Sequence, residues 1–63
     1  MRPREVESLL MRAGWRLLEG RGRGSHRVYV HPDRPGERVV IPWHNQELAK
    51  GTERSILKKA GLT

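Results

Sequence analysis

The sequence predicts an α+β fold in which a three-stranded antiparallel sheet carries two helices on one face, in the order α-β-β-β-α. Apolar residues repeat with a helical period at both ends of the chain, and each pattern stops at a glycine followed by an apolar residue. Between them lie three short runs of strand composition, separated by Gly- and Pro-rich segments. Connections this short favour antiparallel neighbours, and neither helix can bury its apolar stripe alone. We therefore expect both helices on the same side of the sheet.

The first helix is predicted over residues 3–13. Its apolar face is formed by positions spaced i, i+3, i+4 and i+7, which are Val6, Leu9, Leu10 and Ala13. Pro3 suits the first turn, where its missing N–H is not needed. Gly14 ends the helix in the left-handed conformation, and Trp15 then folds back onto Leu10.

Three strands are predicted over residues 15–18, 25–31 and 38–41. The stretch 20–24 is a Gly-rich loop, and the two prolines and the glycine of 32–36 form a turn. β-Branched residues dominate the third strand, and the proline that follows it ends the ladder.

Alternation in the second strand is expected to turn Val28 and Val30 toward the helices and Arg27 and Tyr29 to the outer side. Pairing Val28 with Ile41 then keeps the aliphatic residues together. In that register His26 lies opposite Trp43, so it meets the Pro42-Trp43-His44 segment at one end of the sheet, and His31 lies at the other end. The predicted core comprises Val6, Leu9, Leu10, Leu17, Val28, Val30, Val39, Ile41, Ile56 and Leu57.

The second helix is predicted over residues 52–60, with Ile56, Leu57 and Ala60 on its apolar stripe. A glycine ends it, and Leu62 is expected to pack back on Leu57. The resulting α-β-β-β-α order is the layout of double-stranded-RNA-binding domains, which by itself says nothing about function.

Composition points to a polyanionic partner. The 63 residues are expected to form a single domain, 1–63, without cysteine and so without disulfides or thiolate metal sites. Thirteen Lys+Arg against seven Asp+Glu give a net charge of +6, and ten of the basic residues are arginine, which suits bidentate phosphate contacts. A GC-rich or thermophilic genome, which also favours arginine, explains the arginine preference equally well. The sequence contains no membrane-spanning run and no signal-peptide pattern, so a cytoplasmic location is expected.

The most informative segment is 24–28, where an Arg/Gly-rich loop becomes a strand at His26. Histidine exchanges protons near neutral pH, and arginines hold phosphates. Candidate phosphate and RNA contacts are Arg21, Arg23, Ser25, Arg27, Tyr29 and His44. The predicted register brings the arginines, His26 and His44 together, as RNA cleavage requires. The alternative is structural: Ser25 satisfies the loop backbone and His26 half-buries its ring.

The interpretations of the remaining aromatic and histidine positions differ from one position to the next. Tyr29 stacks a base, serves as a second acid or base, or simply covers the sheet. Trp43 is a core residue or a stacking platform, and Trp15 is predicted in the core. His31, before a proline, is expected to be a solvated turn residue. Three histidines without cysteine do not suggest a tetrahedral metal site, and no cofactor is expected.

Four segments in this order resemble the HicA family of mRNA interferase toxins: Gly24-Ser25-His26; Val28-Tyr29-Val30-His31-Pro32; Val40-Ile41-Pro42-x-His44; and Glu47-Leu48-x-x-Gly51-Thr52-x-x-x-Ile56-Leu57-Lys58-x-Ala60-Gly61-Leu62. The likeness extends to the first helix and its Gly14-Trp15 ending. Two features depart from the family pattern: the loop at 20–23 looks longer and richer in glycine, and Trp15 stands where phenylalanine is common.

This resemblance implies a double-stranded-RNA-binding-like fold, metal-independent cleavage of mRNA, and a cognate HicB antitoxin that binds and blocks the toxin. The family's active histidine is that of the Gly-Ser-His motif, which corresponds to His26. The longer loop leaves the individual roles of Arg21 and Arg23 open. A non-catalytic RNA-binding module of the same fold is the main alternative, and a protein-interaction domain that has lost activity is a third.

Overall fold

The computed structural model describes residues 1–18 and 26–63, and its elements follow the predicted order. They are helix α1 (Pro3–Arg12), strands β1 (Arg16–Leu17), β2 (His26–Val30) and β3 (Val39–Pro42), and helix α2 (Lys50–Lys59). The predicted Gly-rich loop 20–24 lies outside the described residues.

The three strands form one antiparallel sheet in the order β1-β2-β3. Both helices pack against β3 and against each other, so they cover the same side of the sheet. The predicted α+β architecture is therefore confirmed.

Both helices end as the glycine positions predict. Gly14 has a φ of +99°, and the N–H of Trp15 then donates to the carbonyl of Leu10 at 3.0 Å. At the end of α2 a glycine with a φ of +80° precedes Leu62, whose N–H donates to Leu57 at 2.8 Å. These are the hydrogen bonds of Schellman endings, which satisfy carbonyls that have no partner within the helix.

The register between β2 and β3 differs from the prediction by one residue. Val28 pairs with Val40 instead of Ile41, and His26 pairs with Pro42 instead of the tryptophan that follows it. A slip of one residue exchanges the two faces of a strand. The predicted assignment of side chains in β2 to the two faces is therefore wrong.

Tyr29 occupies the helix side of the sheet, opposite Val39, and is fully buried. Its neighbours Val28 and Val30 are only partly buried, on the other side. All three residues are apolar, so alternation alone does not select the inward one. Burying Tyr29 removes the largest apolar area from water and lets its hydroxyl donate to the carboxylate of Glu7, which satisfies the polar end of the ring.

The core lies between the sheet and the helices and consists of Val6, Leu10, Trp15, Tyr29, Val39, Ile41, Leu48, Ile56, Leu57 and Ala60. Most of the predicted aliphatic core is confirmed, as is Trp15. Leu9 packs at the margin, and Leu17 stays 36% exposed because β1 is a two-residue edge strand. Leu48 joins the core from the connection between β3 and α2, where no periodic pattern marks it.

His31 is a structural residue, not the solvated turn residue that was predicted. Its Nδ1 accepts the N–H of Asp33 at 3.1 Å, so the ring proton resides on Nε2, which donates to the carbonyl of Ala13 at 2.8 Å. The ring also stands edge-on to Trp15, with centroids 5.3 Å apart. His31 thereby ties the β2–β3 turn to the end of α1.

The close approach of His31 to Gly14 leads to a stability prediction. A Cβ at Gly14 would meet Nε2 of His31 at 2.6 Å, in addition to the strain of a φ of +99°. Gly36 is the matched control, because it has a φ of +84° and nothing within 4 Å of an added Cβ. In urea unfolding, Gly36→Ala should lose about 1–2 kcal/mol from backbone strain alone, and Gly14→Ala about 1–3 kcal/mol more. Equal losses at the two positions would contradict the tight contact.

Burial of Tyr29 leads to a prediction about alkaline pH. Burial, reinforced by the Glu7 carboxylate, raises the pKa of Tyr29 well above its ordinary value of 10.0. Above pH 10 the unfolded chain loses the phenolic proton while the folded chain keeps it, so stability should fall with rising pH, by at most about 1.4 kcal/mol per pH unit from this group. Tyr29 is the only tyrosine, so tyrosinate absorbance reports it directly.

The control for this measurement is Tyr29→Phe, which keeps the ring and removes the titrating proton. Urea unfolding of both chains across the alkaline range isolates the contribution of the hydroxyl, since lysines and arginines titrate in both. Tyrosinate absorbance that rises in the folded chain with an ordinary midpoint would show that the hydroxyl is not buried.

Candidate functional site

His26 begins β2 and is exposed on the side of the sheet opposite the helices. We call this side the open face, since the described part of the chain places both helices on the other side. The observed register determines on which face of the sheet His26 lies. Because Tyr29 points toward the helices and side chains alternate along a strand, His26, Val28 and Val30 point away from them.

The open face combines an apolar centre with polar margins. Val28 pairs with Val40, which is 42% exposed, and His26 pairs with Pro42 at one end. Exposed Arg16 stands opposite Val30 near the other end. The open face therefore presents an imidazole beside exposed aliphatic side chains.

Arg27 lies on the helix side of β2, so its guanidinium is not on the open face with His26. Its Nη1 donates to Oε2 of Glu7 at 3.0 Å, and the guanidinium carbon stacks 3.9 Å from the ring centroid of Trp43. The side chain is 38% exposed. Arg27 thus spans from a helix carboxylate to an aromatic ring, and much of its charge is already balanced.

Tyr29 does not offer its ring to a base, because the side chain is fully buried between β2 and the helices. Its hydroxyl donates to Glu7, and burial raises the pKa of Tyr29 above its ordinary value, which makes the hydroxyl even less available as a base. The prediction that Tyr29 lies on the outer face, where it would stack a base or act as a second base, is corrected by the register.

His44 is exposed in the loop that follows β3, at the same end of the sheet as His26. Its Nδ1 accepts the N–H of Gln46 at 3.2 Å, which places the proton of the neutral ring on Nε2. That N–H is left to donate to a ligand. The preceding residue, Trp43, is half-buried and packs against the core.

A cleft of about 220 Å³ opens at this end of the molecule, between the start of α1 and the loop after β3. We call it the α1 cleft; its lining residues are Arg2, Pro3, Arg4, Glu5, Trp43, His44 and Asn45. Nη1 of Arg2 donates to the carbonyl of Asn45 at 2.9 Å and so joins the two walls.

Arg2 and Arg4 are functional candidates that the reading of the sequence missed. A cation in the first turn opposes the helix dipole, at a cost of about 0.3–1 kcal/mol, and arginine is not a favoured N-cap. The only offset in the sequence is Glu5, whose carboxylate accepts the N–H of Arg2 at 2.7 Å. Two arginines at the start of a predicted helix, where a cation is unfavourable, could have indicated a binding role from the sequence alone.

Three predicted contact residues, Arg21, Arg23 and Ser25, lie outside the described residues. Within residues 1–18 and 26–63, no three His, Cys, Asp or Glu side chains come together as a metal-binding group. In the same ranges no helix is long and apolar enough to cross a membrane.

Comparison with known proteins gives one clear result. No curated protein matches the chain significantly. The sequence model of a family described as the HicA toxin of bacterial toxin-antitoxin matches residues 3–62, which includes both helices and all three strands. A match of this extent shows that the chain belongs to the HicA toxin family.

Proposed function

We propose that this chain is an endoribonuclease that cleaves mRNA with His26 as its acid or base, and that a HicB-type antitoxin inhibits it. The observation that carries the proposal is an exposed histidine at the start of β2, on the open face of a HicA-family chain. In the Gly-Ser-His motif that this chain resembles, that histidine is the active one. The net charge of +6 supports a polyanionic substrate. We also propose a cytoplasmic location, because mRNA is translated there.

The reaction requires two proton transfers. The 2′-hydroxyl loses its proton and attacks the adjacent phosphorus, while the bond from phosphorus to the 5′-oxygen breaks and that oxygen is protonated. The products are a 2′,3′-cyclic phosphate and a 5′-hydroxyl. His26 takes the first proton or gives the second, and cations stabilise the pentacoordinate phosphate. No step in this scheme needs a metal ion.

The three histidines differ in their exposure and in the hydrogen bonds of their ring nitrogens. His31 uses both ring nitrogens in hydrogen bonds within the fold. His44 is exposed at the same end of the sheet as His26 and retains a donor N–H, so it is the candidate second group. Arg21 and Arg23, which precede His26 in sequence, are proposed to supply the charge because Arg27 is paired with Glu7.

His26→Ala tests the catalytic assignment. The variant should lose about 2.7–5.5 kcal/mol of transition-state stabilisation, or 10²–10⁴ in rate, the worth of one acid or base. Because His26 is exposed, the variant should keep its folding stability and its affinity for RNA. Cleavage of a labelled RNA, in the presence of a chelator, measures the rate.

His44→Ala in the same assay reports whether the second histidine transfers a proton. A folded His26→Ala variant that cleaves at the parental rate would refute the assignment. A parent chain that binds RNA without cleaving it would instead favour the non-catalytic binding module.

We further propose that the antitoxin masks His26 by covering the open face and presenting acidic side chains to it. An exposed apolar strip around Val40, beside a basic margin, suits a partner with an apolar centre and an acidic rim. Such complementarity also gives rapid capture of a small basic toxin.

Val40→Glu tests this masking. A carboxylate in the middle of the strip would be buried without a partner and would repel acidic groups, so antitoxin affinity should fall at least about tenfold. Ser55→Glu is the matched control, because Ser55 is exposed on α2, in the helix layer. Calorimetric titration of both variants measures the change. Equal affinity for the two variants would place the antitoxin elsewhere.

A further inference from the structure

We propose that the α1 cleft binds one phosphate group of the RNA strand that passes His26, with Arg4 as its principal contact. This inference rests on the proposed function, because it takes RNA as the ligand. It adds a binding subsite to the surface on which the chemistry is proposed.

The size of the cleft limits the ligand. Its volume of about 220 Å³ is below the roughly 300–1,000 Å³ typical of sites that enclose a drug-sized molecule. A single phosphate with its donors fits this space. One ring face of Trp43 is already taken by the guanidinium of Arg27. The cleft is therefore assigned to the backbone of the RNA strand.

The chemistry of the lining favours an anion. Arg4 is exposed and makes no ion pair with any residue in the described ranges. Arg2 is held in place by the carbonyl of Asn45, and its Nε lies 3.8 Å from Oε2 of the Glu47 carboxylate, so its charge is partly balanced. Nε2 of His44 is left as a donor. The guanidinium of Arg4 is therefore the principal cation of the cleft, and the imidazole N–H is a second donor that phosphate oxygens accept.

Glu5 is the one acidic residue in the lining, and its carboxylate is already engaged. It accepts the N–H of Arg2 and so satisfies the first free donor of α1. The anion site therefore does not use this N–H group. It depends on the arginine side chains, which stand near the start of α1 although a cation there opposes the helix dipole.

The cleft and His26 lie at the same end of the sheet. His26 pairs with Pro42, and the next two residues of the chain line the cleft. Strand spacing and rise put this wall within about 10 Å of His26. His26 faces the open side and the cleft faces the helix side, so a strand passing around the end of the sheet reaches both. The phosphate in the cleft is then a near neighbour of the scissile one.

The test measures RNA binding in a chain that does not cleave. In a His26→Ala background, Arg4→Ala should weaken binding of a short single-stranded RNA several-fold at about 0.1 M salt. The slope of log affinity against log salt should fall by about 0.7, the value for one phosphate contact on a single strand. Fluorescence anisotropy over a salt series measures both quantities.

Arg12→Ala is the matched control, since Arg12 is an exposed arginine in the last turn of the same helix. Eight residues of helix put it about 12 Å from Arg4, beyond the screening length of roughly 10 Å at 0.1 M salt. Arg12→Ala should leave the slope unchanged. Because the side chain of Arg4 makes no hydrogen bond or ion pair with residues 1–18 or 26–63, the thermal unfolding temperature of Arg4→Ala should match or exceed that of its background.

Each outcome separates this inference from the proposed function. Equal losses for the two arginine variants would show general electrostatic attraction and overturn the cleft. An unchanged slope for Arg4→Ala would also overturn it. Continued cleavage by the His26→Ala background would refute the catalytic assignment. The inference about the cleft would then be tested with a 2′-deoxy strand, which cannot be cleaved, by comparing the salt slopes of the same two arginine variants.

Discussion

The burial of Tyr29 is the interaction on which the rest of the structure depends. Its ring fills the space between β2 and the helices, and its hydroxyl is satisfied by Glu7 of α1. Once this ring points inward, the period of two along the strand leaves no freedom for its neighbours. His26, three residues earlier, must then point to the open face, where its imidazole is accessible to a substrate.

The carboxylate of Glu7 binds two polar side chains on the helix side of the sheet. It accepts hydrogen bonds from the hydroxyl of Tyr29 and from the guanidinium of Arg27, which also stacks on Trp43. This arrangement satisfies a buried phenol and links the end of β2 to α1 and to the loop after β3. It also keeps the guanidinium of Arg27, the cation next to His26 in sequence, away from the open face, and for this reason the proposed mechanism assigns the phosphate contacts to other arginines.

His26, at the start of β2, and His31, directly after its end, differ in how their rings are used. The ring of His31 is committed at both nitrogens and packs on Trp15. The ring of His26 is exposed. Among the described residues, the side chain of His26 makes no hydrogen bond or ion pair, in a HicA-family chain of net charge +6. The function proposed for the chain depends on this difference.

The sequence by itself determined the order of the elements, the helix endings and the antiparallel sheet, because glycine stops, helical periodicity and turn residues are local signals. Through the Gly-Ser-His motif it also singled out His26 as the candidate catalytic residue, which stays a prediction. Only the tertiary structure decided the register, since Val28, Tyr29 and Val30 are all apolar and their faces depend on which ring fills the core. The role of His31 and the α1 cleft were decided there too, because each joins residues that are far apart in the chain.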